Sequence, residues 1–354
     1  MSIAARKSAQ SVVSSPGSIL IFRALQVGDM LCAVPALRAL RTHFPEARIM
    51  LAGLPWAAAF SRRFDKYIDE FIEFPGHPAL PEQASDADAF SAFIDSVSRR
   101  DIDLALQMHG DGSSSNAIVA SFGTRQMAGF IPSGTLPDAN GIFLPYPDHG
   151  HEIKRLLSLN ALVGAESQDM TMEFPLEYED HQDLSRQVFA ADLISSRYVC
   201  LHVGARHRHK CWPAGCFAAV ADQLSEAFEL RIVLTGSAAE KSLAADVATR
   251  MRRPAINAAC DMSLGALAAL LAGASLLICN DTAVSHIAAA FHVPSVVVFV
   301  NSDSKRWAPL DRDSHRCVHD PLGQRQQEVF SQASDLLKRC VESGHAPATV
   351  LQPR

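Results

Sequence analysis

The chain has 354 residues, 48% of them hydrophobic, with eight cysteines and a formal net charge of −6. That length accommodates two domains with complete cores, and the acidic balance excludes a global basic field that would gather nucleic acid or anionic lipid. The cysteines form no CxxC pair and no zinc spacing; Cys200 and Cys279 lie in apolar runs, where reduced thiols act as small hydrophobes, which points to a reducing compartment.

Residues 1–18 are small and polar and lack an apolar h-region, so they read as a disordered tail and not as a secretory signal. Ile19–Phe22 predicts a first strand and Arg23–Asp29 a loop containing Gly28. Ala33, Leu37, Leu40 and Phe44 then recur at helical spacing, with Pro35 either a kink or the true first turn. Arg48–Ala52 is a second strand. Residues 53–100 read as helix and loop, irregular around Pro75, Pro78 and Pro81. Ile102–Gln107 is a strand running into the loop HGDGSSSN (109–116) and a helical Ala117–Phe122. Met127–Ile131 is a further strand, and His151–Val163 an amphipathic helix. Residues 164–196 lose apolar periodicity and gain charge, which places a boundary between an N-terminal domain, 19–180, and a C-terminal domain, 181–354.

The second half alternates more regularly. Strand Tyr198–Val203 leads through GARHRHKCWPAG to helix Cys216–Phe228, and strand Arg231–Thr235 leads through GSAAE to helix Lys241–Met251. Ala255–Ala259, helix Leu264–Ala272, and then LLIC, NDT, AVSHIAAAFH and VPSVVVFV follow; Gln324–Val341 predicts a last helix. The uncharged run Met262–Asn280 approaches the length of a membrane span, but Gly273-Ala274-Ser275 divides it into a core helix and a strand. Short, uncharged, branched strands are those of a parallel sheet covered on both faces. The fold class is therefore α/β, with two Rossmann-like βα domains facing each other across a cleft.

Loops after parallel strands lie at the carboxyl edge, where ligands bind. No G-x-G-x-x-G fingerprint or P-loop is present, so any phosphate is held otherwise. Asp281 or Thr282 caps the helix after NDT, and Thr282 and His286 share a face near its start, where free N–H groups favour phosphate; the plainer reading is a cap and a buried His. Lys210 closes the basic run Arg206-His207-Arg208-His209-Lys210, which is either a solvated loop or a phosphate contact. Glu240 is either a first-turn carboxylate or an acceptor for ribose hydroxyls. Asp29 is either a helix cap or a base at the corresponding edge of the first domain. The Asp-x-Asp triplets at 86/88, 101/103 and 311/313 follow no convincing strand and read as surface acids, not metal ligands.

Taken together, ILIFRALQVGDMLCAVPALRALRTHFPEARI, HVGARHRHKCWPAGCFAAVADQL, LTGSAAEK, NDTAVSHIAAAFHVPSVVVF and RWAPL (306–310) resemble glycosyltransferase family 9, the ADP-heptose:lipopolysaccharide heptosyltransferase family. The likeness covers most of residues 19–310. It implies a GT-B fold and inverting, metal-independent transfer of a heptose or similar sugar from an ADP-sugar to a glycan or lipopolysaccharide-type acceptor hydroxyl, with no cofactor. By that likeness Asp29 is the general base; because Asp29 and His286 both start helices after strands, the two are expected to face the cleft from opposite sides. Gly204, Ala205, Lys210, Glu240, Asp281, Thr282, Ala283 and His286 bind the donor, with Lys210 at the diphosphate and Glu240 at the ribose. Arg23, His109 and Asn116 lie on the acceptor side. The implied partners are a nucleotide-sugar donor and a glycan or lipid-linked acceptor, with no nucleic acid. The implied location is cytoplasmic, with peripheral contact with the inner membrane left open. Ala283 departs from the family's usual Gly, and HGDGSSSN departs from the lipopolysaccharide-core enzymes, so the acceptor is not specified. The alternatives are a nucleotide-sugar epimerase of GT-B fold and a non-catalytic nucleotide-sugar-binding protein.

Overall fold

The computed structural model describes residues 15–135, 141–193 and 197–342. The chain divides into two compact units, Met1–Met170 and Thr171–Arg354. Each carries a six-stranded parallel sheet among the described residues.

The first unit runs β1 (Ser18–Phe22), α1 (Val27–His43), β2 (Arg48–Gly53), α2 (Ala57–Arg63), β3 (Glu70–Glu73), α3 (Ala87–Ser98), β4 (Leu104–Gln107), α4 (Ser115–Ala120), β5 (Gln126–Ile131), β6 (Gly141–Pro145) and α5 (Glu152–Leu162). The strand order is β3-β2-β1-β4-β5-β6. The central strand β1, with Ile19, Leu20, Ile21 and Phe22 all but fully buried, pairs with β2 and β4. The winding reverses between β1 and β4, so a ligand crevice is expected at their carboxyl ends.

The second unit runs α6 (Tyr178–Ser185), β7 (Tyr198–His202), α7 (Ala214–Phe228), β8 (Arg231–Thr235), α8 (Lys241–Arg250), β9 (Ile256–Asn257), α9 (Leu264–Ala272), β10 (Leu276–Asn280), α10 (Ala283–Ala290), β11 (Ser295–Phe299), α11 (Ser304–Trp307), β12 (His315–His319) and α12 (Gln326–Glu342). Its order, β12-β11-β10-β7-β8-β9, repeats the winding of the first unit, with the reversal between β7 and β10.

Several expectations are corrected. Strands β3, β6 and β12 and helix α6 were not anticipated. The division falls after Met170 and not after residue 180, because α6 packs on α9 and so belongs with the second unit. Strand β1 begins at Ser18, inside the expected tail; the Gly17 and Ser18 amides donate to the Asp103 carboxylate at 2.8 and 3.1 Å. The rest of that tail, residues 1–14, lies outside the described residues. Helix α1 begins at Val27, so Gly28 and Asp29 are helical, and Pro35 lies buried in its interior. The acid triplets do local work, as Asp103 shows. Asp86 caps α3 by accepting from the Ala89 amide at 3.0 Å, and Asp311 accepts from the Asp313 amide at 3.0 Å.

Two buried imidazoles make stability pH-dependent. His315 in β12 lies 2.9 Å from the Ser295 hydroxyl, and burial lowers its pKa to about 4 against the opposing pull of Asp311. His109 is likewise lowered to about 4, by burial and then by Arg23. Both fall below the unfolded value, so the unfolded chain binds more protons between about pH 6.5 and 4. Their contribution, roughly 3 kcal/mol per group, is full above that window and is lost as pH falls through it. Urea midpoints should hold steady above about pH 6.5 and fall below it. A midpoint unchanged at about pH 4.5 would show that these rings accept protons in the folded state.

Candidate active site

In the second unit the end of β10 ties down the loop that follows β7. Asn280 is fully buried; its Oδ1 accepts from the Trp212 amide at 2.8 Å, and its Nδ2 donates to the Val203 and Gly204 carbonyls, both at 3.0 Å. Trp212 packs edge-on against Phe217, and its Nε1 donates to Asp320 at 2.8 Å. Asp320 also takes the Gln324 and Arg325 amides, both at 2.9 Å. The base of the loop is thereby fixed while Arg206–His209 at its tip stay exposed. Lys210 returns from that tip and sets its Nζ 3.6 Å from Asp281 Oδ2. The two residues expected at the phosphate are thus brought together as an ion pair.

Glu240 ends a short 3-10 turn, Ala238–Glu240, after β8. Its Oε2 accepts from the Ser237 amide at 2.8 Å and hydroxyl at 2.9 Å. Its Oε1 lies over Gly204, where a Cβ would come within 1.8 Å, so only glycine allows this approach. Ala205, next in the chain, is half-buried. Beneath, His202 is buried with Nδ1 3.1 Å from the Thr235 hydroxyl; burial lowers its pKa while Glu240 pulls the other way. Thr282, not Asp281, is the N-cap of α10, and its side chain makes no capping bond. Ala283 is the first helical residue, and His286, one turn on, is buried.

In the first unit the acceptor-side expectations change character. Arg23 is 1% exposed. Its guanidinium binds the Met108 and Asp29 carbonyls and the Glu152 carboxylate, an internal set that leaves it no outward face. His109 stacks on Phe22; its Nδ1 accepts from the Ala24 amide at 3.3 Å and its Nε2 lies 3.7 Å from Glu82. Burial and Arg23 keep it neutral, so its role is to hold the strand end. Asn116 donates to the Phe130 carbonyl at 2.8 Å, and its Oδ1 is buried without a hydrogen-bond partner. Asp29 is half-buried in the first turn of α1. It is not a cap: Gln26 holds that position.

Sequence reasoning missed Asn280, Gln107 and Glu152. Gln107 ends β4 as Asn280 ends β10; it takes the Phe130 amide at 3.1 Å and donates to the His109 carbonyl. A carboxamide closing an apolar strand was the available signal. Asn280→Ala is expected to cost at least about 1–3 kcal/mol, because it leaves buried amide and carbonyl groups unmatched. Urea unfolding measures this, and a loss under about 0.5 kcal/mol would mean that these groups find other partners.

Among the described residues no group of three His, Cys, Asp or Glu is arranged for a metal ion, and no helix is long and apolar enough to cross a membrane. Residues 91–335 match the family model for glycosyltransferase family 9 (heptosyltransferase). Lipopolysaccharide heptosyltransferase 3 of Escherichia coli is 30% identical over 165 residues, 45% of this chain and 47% of that protein. The chain thus spans about half the length of the curated relatives it matches. A family 9 glycosyl transferase from Veillonella parvula DSM 2008 superposes with a TM-score of 0.74 at 17% identity, over 91% of this chain and 98% of that one. The E. coli ADP-heptose lps heptosyltransferase II gives 0.71 at 20% identity, over 91% and 99%. At such identities the likeness shows the fold, two Rossmann-like domains of the GT-B type.

Proposed function

Because this chain belongs to glycosyltransferase family 9, we propose that it transfers a heptose or similar sugar from an ADP-sugar to a hydroxyl of a lipopolysaccharide-type acceptor, with inversion and without a metal or other cofactor. The observation that carries the reading is the gathering of Lys210, Asp281 and the start of α10 at the carboxyl edge of the second sheet, with Glu240 beside them over Gly204. Free N–H groups and an ammonium at one helix start suit a diphosphate. Glu240 Oε2 is engaged by Ser237, which leaves Oε1 to accept from the ribose hydroxyls.

In the proposed step the acceptor oxygen attacks the anomeric carbon while Asp29 takes its proton. The bond from that carbon to the diphosphate oxygen breaks, and its electron pair leaves with ADP. Lys210 and the α10 amides stabilise the departing charge, the part a divalent cation plays in other enzymes. Such substrates place the protein in the cytoplasm, in peripheral contact with the membrane that carries the acceptor.

Incubation with ADP-heptose and truncated-core lipopolysaccharides tests this. Consumption of donor only with acceptor, and a heptosyl gain on the acceptor by mass spectrometry, is the expected result. Donor converted without acceptor would indicate the epimerase, and binding without turnover the binding protein. Transfer should persist in excess EDTA; loss that magnesium or manganese restores would overturn the metal-free step.

A further inference from the structure

The first turn of α1 carries the proposed base, and its cap residue does little to hold it. Gln26 makes no side-chain capping bond, and a helix start without one tends to fray. Arg23 supplies a tie from elsewhere. Its Nε and Nη2 donate to the Asp29 carbonyl at 3.2 and 2.9 Å, its Nη1 donates to the Met108 carbonyl just after β4, and its Nη2 lies 3.1 Å from Glu152 Oε1. Glu152 opens α5 and also meets Arg155 at 3.5 Å, and the Arg155 guanidinium lies over the Tyr146 ring at 4.9 Å. Helix α5 is joined to α1 again by Asn160 Nδ2 on the Ala36 carbonyl at 2.7 Å. Arg23 is 1% exposed, and Glu152 and Arg155 are 5% exposed each.

Two guanidiniums and a carboxylate held away from water are a poor way to gain stability, since well-packed apolar side chains often do as well or better. A planar fork gives something an apolar side chain cannot: fixed directions on three elements at once. The Asp29 carbonyl and side chain share one Cα, so pinning the carbonyl fixes the backbone position from which the carboxylate projects. We infer that the Arg23–Glu152–Arg155 chain is a positioning device that holds Asp29 for proton transfer. This rests on the reading of Asp29 as base. Arg23 itself touches no substrate; it acts through Asp29, and misplacement of a base by a fraction of an ångström is enough to slow its reaction.

Arg23→Lys keeps the charge beside Glu152 but loses the fork. The kcat for heptosyl transfer from ADP-heptose to truncated-core lipopolysaccharide should fall at least about tenfold, with KM for ADP-heptose within about twofold of the original. Amide exchange at Met30 and Leu31 should quicken while that of the β4 and β10 amides holds. A purely structural role would lower the folded fraction but not kcat per folded molecule. A kcat within about twofold, with unchanged exchange at Met30 and Leu31, overturns the inference. If Arg23→Lys does not fold, Glu152→Gln asks the same question by loosening the fork from α5. A kcat loss of about threefold or more at unchanged ADP affinity supports the device, and an unchanged kcat overturns it. Asp29→Asn is measured alongside. If it turns over normally, the base reading fails and the device with it; if it is inactive while the other variants are unimpaired, only the device fails. The exchange measurement needs no substrate and tests the pinning of the turn whatever the acceptor.

Discussion

Asp29→Asn should lower heptosyl transfer by roughly 10²–10⁴-fold, the usual worth of a general base, with ADP affinity nearly unchanged. The amide keeps the carboxylate's shape but cannot take the acceptor proton. Asp29 lies in the first turn of α1, where a negative charge is favoured by the helix dipole. If that were its whole purpose, the substitution would cost about 0.3–1 kcal/mol of stability and leave turnover per folded molecule intact. Gln26, not Asp29, holds the cap position of the helix. A melting curve and a turnover number from one preparation decide between the two, and normal turnover would remove Asp29 from the mechanism.

Lys210→Ala should weaken ADP binding by roughly 1.5–3 kcal/mol, about 10–150-fold, as the loss of one charged hydrogen bond does. The pairing with Asp281 sharpens the expectation. With Lys210 in place, Asp281 Oδ2 has an ammonium 3.6 Å away. Without it, the carboxylate stands uncompensated beside the place where the diphosphate is proposed to bind, and like charges repel. Lys210→Ala should therefore lose more than Glu240→Gln, which keeps an acceptor for ribose. Calorimetry with ADP on both variants measures the difference. Unchanged affinity in both would move the donor site away from this edge.

Much of this protein is legible from its residues alone. β8 and α9 lie where the apolar runs place them, and β7 and β10 within a residue or so, because central strands of a parallel sheet are buried on both faces and admit little but branched apolar side chains. The ends of those strands mark the carboxyl edge, so Lys210, Glu240, Asp281 and Thr282 could be gathered into one candidate site before any coordinates. The same logic fails at the sheet margins. β3 reads EFIE, with two charged residues in four, and Glu70 is tied to Arg48 at 2.6 Å across the strand pair. An edge strand half open to water carries no continuous apolar signal.

Tertiary structure alone decided what the polar residues do. Arg23 follows a strand and looks available to a substrate, yet it is 1% exposed because the Met108 carbonyl and Glu152, 85 and 129 residues along the chain, close around it. His109 is an ordinary imidazole in sequence and a neutral one in the fold, because Phe22 and the Ala24 amide enclose it. Gly204 is one glycine among 19 until the Glu240 carboxylate is seen against it. Periodicity reports which face of an element is dry and so determines where strands and helices lie. It holds no record of which distant groups meet in the dry region, and there a side chain's partners set its charge, its direction and its chemistry.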